Sequence, residues 1–441
     1  MKYFNALATL SVTGKDANSI LAYAHSFHAP ALYRRIGRER SLKFLELSKL
    51  TIRELPLTAI RITGTNGKGT TAMFVEHYLR SVGLETLCLT SPHVYSVRER
   101  IRLNGVALTW ERLGAVLERI IPCLEQMRGS EWHPHPTDIW TWVALALHAS
   151  TSTTHGVYEV SKGGGSDVIN VFSRGVVGLT NIGHDHLEEF GDSQESLLQE
   201  KLGLCSTGDT LCYNPLEDRL ERQLANYCRD RTISAIRIPE TVSTSIPHHR
   251  FDHEHIANVE LARGIVERIG VDPARMGRAV PGLICRIQPR VVEGRRFILD
   301  GAHNPEAMKR IVSRFEIGAK RRRVVVFGVQ DRKDWRALTQ LLSRIPGLKT
   351  MICVPMTTGD SVDARDLAHG ASAYGLRGVT LPGMLSGLKY VLSRDWDECL
   401  VTGSFKLFRD FDLTLHALGY GAWALPVEYI DPPQPWMRPL A

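Results

Sequence analysis

The chain has 441 residues, of which 43% are hydrophobic and 23% charged. These are the proportions of a soluble globular enzyme; they exclude a disordered chain, a collagen-like repeat and a small disulfide scaffold, and at about 150 residues per domain they predict two or three domains. The net charge of +7 permits an anionic ligand such as a nucleotide or a polycarboxylate, while the longest basic run, Lys320 to Arg323, precedes a strand-like VVVFG and reads as a solvated strand entry, so no nucleic-acid partner is expected.

Helix-like and strand-like segments alternate, which predicts an α/β fold with mostly parallel sheets. Residues 17–50 read as helical, with apolar positions every three or four. Leu57–Thr63 is a β-branched run that ends in a glycine-rich turn, Thr70–Val82 a helix stopped by Gly83, and Thr86–Thr90 the next strand. Trp110–Met127 carries an apolar face of Leu113, Val116, Leu117, Ile120, Ile121 and Leu124. Ile139–Ala149 reads as a buried helix, Gly156–Val160 and Gly175–Thr180 as buried strands, and Gln194–Leu204 and Ile256–Ile269 as helices.

The Pro/Gly/Arg-rich passage Pro273–Arg296 reads as a connection. After it the alternation resumes, with strands at Phe297–Leu299, Val324–Phe327, Thr350–Val354 and Leu400–Thr402 and helices at Pro305–Phe315, Asp334–Leu342, Ala364–Ala373 and Phe405–Leu415. The eight cysteines show no CxxC spacing and several sit in apolar runs, the pattern of reduced, buried thiols in a cytosolic protein. The longest uncharged stretch, Ile139–Tyr158, turns polar after Ala149, so no bilayer span is predicted, and Met1–Val12 lacks the long apolar core of a signal peptide. A cytoplasmic location is expected.

The strongest local signal is Ile62-Thr63-Gly64-Thr65-Asn66-Gly67-Lys68-Gly69-Thr70-Thr71, which follows a strand and opens a helix. Glycines let backbone N–H groups converge on phosphate oxygens, Lys68 supplies a point charge, and a hydroxyl at Thr70 or Thr71 can reach Mg²⁺. Two histidine clusters read as loops: His248, His249, His253 and His255 before the Ile256 helix, and the proline-flanked His133 and His135 before Thr137.

The Thr63–Thr70 string resembles the nucleotide loop of the folylpolyglutamate synthases and dihydrofolate synthases, within the Mur ligase superfamily. Five further segments agree in order: Leu89–His93 with Glu99-Arg100-Ile101 and Asn104-Gly105; Tyr158-Glu159-Val160 with Gly163-Gly164 and Asp167; Thr180-Asn181-Ile182-Gly183 with Asp185-His186, Gly191-Asp192 and Glu200-Lys201; Asp300–Pro305; and Phe327-Gly328 with Asp331, Lys333-Asp334 and Val401-Thr402-Gly403-Ser404. The resemblance implies a P-loop central-type ATPase domain with a parallel-rich sheet over residues 1–285 and a Rossmann-like domain over 286–441. It implies an ADP-forming ligase in which a substrate carboxylate attacks the γ-phosphate of ATP and an amine, usually of an amino acid, displaces phosphate from the acyl phosphate. A monomer acting on small molecules is the family-like default.

Residue by residue, the resemblance implies that Gly64, Thr65, Asn66, Gly67, Lys68, Gly69, Thr70 and Thr71 cradle ATP. Thr70, Ser91, Glu159 and His186 are expected Mg²⁺ ligands over two sites. Lys201 resembles a lysine carbamylated by CO₂, Asn258 an adenine contact, Arg286 a linker arginine, and Asp300 and His303 ribose and phosphate contacts. Lys68, Lys201, His186 and Glu159 form the expected catalytic set. The bland readings are a surface carboxylate at Glu159, a capping or core His186, a helix-surface Lys201 and an Asx-type turn at Asp300 to His303.

The departures fall where the acceptor would be recognised. The family continues its Glu-Val with Gly-Leu-Gly-Gly-Arg and then Asp-Ala-Thr-Asn; here the run is Ser161-Lys162-Gly163-Gly164-Gly165-Ser166-Asp167-Val168-Ile169-Asn170, with the arginine gone and a lysine three positions earlier. Thr137-Asp138 stands where the family often has Phe-Glu. A divergent amide ligase, on folate or on a non-folate acid, is the expectation; a P-loop NTPase switch and an inactive nucleotide-binding subunit are the alternatives.

Overall fold

The computed structural model describes residues 16–28, 35–51, 58–183, 187–239, 253–272, 275, 288–316, 321–357, 360–432 and 437. The chain divides into two compact units: Met1–His93 with Val97–Pro281, and Val94–Ser96 with Gly282–Ala441.

The first unit runs α1 (Ala17–His25), α2 (Gly37–Ser48), β1 (Thr58–Thr63), α3 (Lys68–Ser81), β2 (Thr86–Leu89), β3 (Ile101–Leu103), β4 (Val106–Ala107), α4 (Trp110–Met127), α5 (Pro136–His148), β5 (His155–Glu159), β6 (Val176–Leu179), α6 (Leu187–Phe190), α7 (Gln194–Leu202), β7 (Thr210–Tyr213), α8 (Asp218–Asp230), β8 (Ser234–Arg237) and α9 (His253–Arg268). Its eight-stranded sheet has the order β4-β3-β2-β5-β1-β6-β7-β8. It is parallel from β2 to β8 and closes with the antiparallel β3 and β4. The chain leaves β1 for β2 and β5 on one side and then crosses to β6 on the other. That reversal opens a crevice at the carboxyl ends of the strands.

Strands covered on both faces bury nearly every position: all of β2 and β6 and all of β5 but its first residue are buried. On one face α3 and α9 cover the sheet, and the Ile265 side chain lies so close to Gly178 that a Cβ there would stand 2.7 Å from it. On the other face Phe44 of α2 stacks on Trp142 of α5 at 4.6 Å. The Trp142 Nε1–H donates to Ser41 Oγ at 2.7 Å, and that hydroxyl donates to Val168 O at 2.6 Å. The buried Arg40–Asp138 ion pair, at 2.8 Å, adds a second tie between α2 and α5. A second buried pair, Arg61–Asp209 at 2.8 Å, fastens the middle of β1 to the turn before β7.

The second unit runs β9 (Gln288–Val292), β10 (Arg295–Asp300), α10 (Pro305–Glu316), β11 (Arg323–Phe327), α11 (Trp335–Leu342), β12 (Leu348–Cys353), α12 (Ala364–Ala373), β13 (Arg377–Thr380), α13 (Met384–Leu392), β14 (Glu398–Thr402) and α14 (Lys406–Ala417). Its six-stranded sheet has the order β13-β12-β11-β14-β10-β9 and is parallel except for β9. The fold is thus α/β in both units, with a mostly parallel sheet in each.

Several elements differ from the sequence expectations. Residues 17–50 form two helices, α1 and α2, rather than one helical stretch. The passage 273–296 holds β9 and the start of β10, because Arg290 and Val291 pair with Phe297 and Arg296 across a Glu293-Gly294 turn with positive φ. The strands β3, β4, β7, β8 and β13 and the helices α6, α8 and α13 are further elements, α8 with a clear apolar face of Leu220, Leu224, Tyr227 and Cys228. His253 and His255 lie within α9 rather than in a loop before it; His248 and His249 lie outside the described residues. His135 is not an exposed loop residue: it caps α5, its ring accepting the Thr137 N–H and its own N–H meeting the Asp138 carboxylate in a capping box. Among its described residues, the basic run is solvated only at Arg321 and Arg322, which are exposed. Arg323 is buried against Glu398 at 3.0 Å, and Arg322 pairs with Asp395 and Asp397.

Seven cysteines among the described residues are free and buried, and Cys285 lies outside them. No helix among the described residues is long and apolar enough to cross a membrane.

Candidate active site

The glycine-rich loop leaves β1 and enters α3 with two glycines in the left-handed region, Gly64 at φ 136° and Gly67 at φ 83°. Both are also sterically required. A Cβ on Gly64 would stand 1.9 Å from Thr180 Oγ1, and one on Gly67 would stand 2.4 Å from Asn258 Nδ2. Four hydrogen bonds hold the loop to the segment after β6. Thr65 N–H donates to Asn181 O at 3.0 Å and Asn66 N–H to Asn181 Oδ1 at 2.9 Å. Gly183 N–H donates to Thr65 Oγ1 at 2.9 Å, and Thr180 Oγ1 donates to Asn66 O.

Lys68 is the first residue of α3, and its ammonium donates to Gly64 O at 3.0 Å and Thr65 O at 2.9 Å. The lysine charge therefore sits over the loop at the positive end of a 14-residue helix, the arrangement that favours phosphate oxygens. Gly69 follows, then the buried Thr70 and Thr71; the Thr71 hydroxyl reaches Asn258 O at 3.5 Å. Asn258 is buried on α9, against Gly67.

Glu159 ends β5, the strand beside β1, and is 6% exposed, so it is not a surface carboxylate. Its Oε2 accepts the Ser91 N–H at 2.7 Å, and its oxygens would lie 3.2 and 3.4 Å from a Cβ on Gly69. The carboxylate thus stands directly beside the first turn of α3. Lys201 is 5% exposed, so it is not a helix-surface lysine, and its Nζ donates to Gly64 O at 2.9 Å. Lys68, Gly69, Glu159, Lys201 and Asn258 accordingly surround one loop, with Ser91 on the far side of Glu159.

The segment after β5 packs on α7. Gly165 N–H donates to Glu200 O at 2.8 Å, and a Cβ on Gly164 would stand 2.6 Å from Lys201 O. Glu200 Oε1 collects Gly164 N–H at 3.1 Å, Ser166 N–H at 2.9 Å and the Ser166 hydroxyl at 2.7 Å. Glu200 had no assigned role in the sequence. Its adjacency to Lys201 was the available signal, since a glycine-rich turn needs an acceptor for its N–H groups. Asp167 is buried, accepts the N–H groups of Lys162 at 3.1 Å and Ile169 at 3.0 Å, and burial pushes its carboxyl up to about 6.

His186 and Arg286 lie outside the described residues. Asp300 and His303 belong to the second unit. The Asp300 carboxylate is wholly buried in its own turn, accepting Ala302 N–H at 2.9 Å and facing Arg310 at 3.5 Å. His303 Nδ1 donates to Gly301 O at 2.8 Å, and Asn304 Oδ1 accepts the Ala307 N–H at 2.9 Å at the start of α10. This is the Asx-type turn that the sequence allowed. No group of three His, Cys, Asp or Glu side chains with metal-holding geometry occurs among the described residues. The oxygen donors that could hold a hard ion are the carboxylate of Glu159 and the hydroxyls of Thr70 and Ser91.

The Mur ligase middle domain matches residues 62–245, and the Mur ligase glutamate ligase domain matches residues 285–405. A folylpolyglutamate synthase of Arabidopsis thaliana is 28% identical over 308 residues, 63% of this chain and 54% of the plant protein. The match thus spans about half the length of that relative. Among solved structures, Mycobacterium tuberculosis folylpolyglutamate synthase complexed with ADP has a TM-score of 0.76 at 20% identity and covers 91% of this chain and 98% of its own. A bifunctional folylpolyglutamate synthase/dihydrofolate synthase with Mn, AMPPNP and L-glutamate bound has a TM-score of 0.73 at 21% identity, covering 90% of this chain and 97% of its own. Both likenesses carry the fold. Two consecutive Mur ligase domains and these relatives establish that the chain belongs to the folylpolyglutamate synthase/dihydrofolate synthase family of the Mur ligase superfamily.

Proposed function

We propose that the chain is an ATP-dependent, ADP-forming carboxylate–amine ligase. The observation that carries the reading is the single loop at the carboxyl end of β1, with Lys68 over it, Glu159 against Gly69 and Lys201 on the Gly64 carbonyl. A carboxylate oxygen of the acceptor attacks the γ-phosphorus, the bond to the bridging β–γ oxygen breaks, and ADP leaves. The amine nitrogen then attacks the acyl carbon, inorganic phosphate leaves, and the nitrogen loses a proton as the amide forms.

Each step makes a demand that this site is built to meet. Charge builds on the oxygens of the transferring group, and the α3 N-terminus with Lys68 offers positive charge there. Acceptor and phosphate are both anionic, so fixed positions must hold them together. The rigid ties of the loop to Asn181 and Asn258 supply that fixity. Thr70, Ser91 and Glu159 would hold Mg²⁺, with His186 toward a second site; the metal supplies charge neutralisation at the phosphates. Lys201 as a carbamate would put a negative group beside the loop in place of a cation.

The amine is an amino acid, with glutamate the first candidate, and the acceptor is a folate or another carboxylic acid. The reading extends to a cytoplasmic monomer that acts on small molecules without nucleic acid. It also extends to ATP contacts by Asn258, Arg286, Asp300 and His303, and to a domain boundary in the sequence between residues 285 and 286. The test is ADP release by the purified protein with Mg²⁺, glutamate and either dihydropteroate or tetrahydrofolate, followed by product mass. ADP release that depends on both cosubstrates, with a mass gain of one glutamyl group, supports the reading. ADP release indifferent to amine and acid overturns it.

A further inference from the structure

The second unit contains three residues that interrupt the first, Val94–Ser96. They form the tip of the loop that follows β2 and carries Ser91. The loop is closed at its base, where Thr90 N–H donates to Arg100 O at 2.8 Å. Arg100 Nε crosses it to donate to His93 Nδ1 at 2.9 Å. A closed loop of this length ordinarily packs on its own side chains. Here the tip is packed elsewhere. Tyr95, 2% exposed, belongs to the core cluster of the second unit that also holds Phe297, Leu388, Phe408 and Phe411. Val94 packs against the same cluster.

A clasp holds the tip in that core. Asp431 N–H donates to Tyr95 O at 2.8 Å, and Arg409 of α14 donates to Asp431 O at 3.0 Å. Ile430, beside Asp431, is buried in the same cluster. On either side of the tip the chain is anchored in the first unit. Val97 is buried in the core of that unit, and Ser91 N–H donates to Glu159 Oε2 at 2.7 Å.

The reach of the chain gives these anchors their meaning. A fully extended backbone covers at most about 7 Å from residue 95 to residue 97, and about 14 Å from 91 to 95. A ring fixed in one core and a valine fixed in the other leave the tip little slack. Ser91 therefore lies between the Glu159 carboxylate and a tip whose place the second unit sets. A serine hydroxyl serves a metal only when its direction is held, and groups outside the ligand set do that holding.

We propose that Tyr95 is a positioning residue: through the strap Val94–Ser96, the second unit sets the Ser91 hydroxyl and with it the metal at the nucleotide. That Ser91 ligates metal rests on the ligase reading; that the strap sets its place does not.

The test is calorimetric titration of the full chain with AMPPNP, once with Mg²⁺ and once with EDTA. The ratio of the two affinities is the gain due to the metal. Tyr95→Ala should lower that gain about tenfold, the scale of losing a group that orients a metal ligand, and leave the affinity in EDTA unchanged. Tyr95→Phe, which keeps the ring, should retain the gain. Because Tyr95→Ala also hollows a core, two further variants separate positioning from stability. Leu388→Ala hollows the same core away from the strap and should keep the gain. Insertion of Gly-Gly between His93 and Val94 leaves both anchors in place and adds slack. It should lose the gain as Tyr95→Ala does, and it remains the test should Tyr95→Ala fail to fold. In a Ser91→Ala background, Tyr95→Ala should cost nothing further. An unchanged gain in the inserted chain, an equal loss in Leu388→Ala, or additive losses from Ser91→Ala and Tyr95→Ala would each overturn the strap. So would a parent chain whose affinity for AMPPNP does not respond to Mg²⁺. A strap that behaves as expected, in a chain without amine-dependent ADP release, would count against the ligase reading alone.

Discussion

Two neighbouring regions of the first unit are built on different terms. The nucleotide loop is specified by steric exclusion: Gly64 and Gly67 have positive φ and no room for a Cβ, and the N–H groups of Thr65 and Asn66 donate to the carbonyl and the side-chain oxygen of Asn181. The segment from Lys162 to Asn170, which the proposed function assigns to the acceptor, combines glycines without room for a Cβ at Gly163 and Gly164 with side-chain ties from Glu200 Oε1 and Asp167. Side-chain ties can be exchanged one at a time, whereas a backbone with no spare volume tolerates little change. The side-chain ties are where the run from Lys162 to Asn170 can vary, while its Gly163 and Gly164, like the loop glycines, are fixed by lack of room.

The contrast can be broken or sharpened by substitution. The largest effect is expected for Lys68→Ala, which should lower ADP formation by about 10³-fold or more by removing the charge over the loop; a turnover assay that finds near-normal rates would remove the loop from the chemistry. Asp138→Ala removes the buried carboxylate that pairs with Arg40 and uncaps α5, so urea unfolding should show a loss of about 3 kcal/mol. Lys201→Ala should cut kcat by about 10²-fold, because it removes the side chain that donates to the Gly64 carbonyl. Restoration of full kcat by Lys201→Arg would argue against a carbamate, which arginine cannot form.

Glu200→Ala should raise the acceptor KM by about tenfold and leave ADP affinity untouched, since it frees the acceptor-facing turn and not the loop. If both constants move together, the two regions are one unit. The smallest effect is on the pH dependence of stability. His25 and His135 sit at about 4 when folded, against 6.5 for the free group. The unfolded chain therefore binds more protons across that window, and stability rises with pH from about 4 to about 6.5. Asp167, raised from 3.8 to about 6, opposes this between those values, because there the folded state holds the extra proton. Urea midpoints should still climb with pH, with a shallower slope in His25→Gln; a flat profile in the parent protein would show that the histidines are not desolvated.

Much of the fold was legible in the sequence. α4 and α12 run over the predicted residues, and β1, β11 and β14 fall within two residues of expectation. Strong periodicity and buried apolar runs mark such elements without help from the rest of the chain. Apart from α8, whose apolar face periodicity could have found, the elements that were not expected are mostly short or lie at a sheet edge. β8 is mostly exposed along its length, and β9 is an antiparallel edge strand whose sequence, Gln288–Val292, contains a proline and an arginine. Their pairing partners, not their own residues, make them strands.

The candidate site divides in the same way. The sequence alone determined the nucleotide loop, since strand, glycines, lysine and threonines are contiguous and each has a local physical reason to be there. It also marked Glu159 and Lys201 by motif, but not that both are buried, nor that they meet the loop. Only the tertiary structure decided that, because parallel strands bring the ends of β1, β5 and β6 to one edge from positions about a hundred residues apart. The histidines of α1 and α5 are the clearest case. His133 and His135 look like loop residues in the chain. They meet the end of α1 once α1 and α5 pack, His133 at Phe27 O and His135 at the ring of His28, because contact is set by distance in space and not by separation along the sequence.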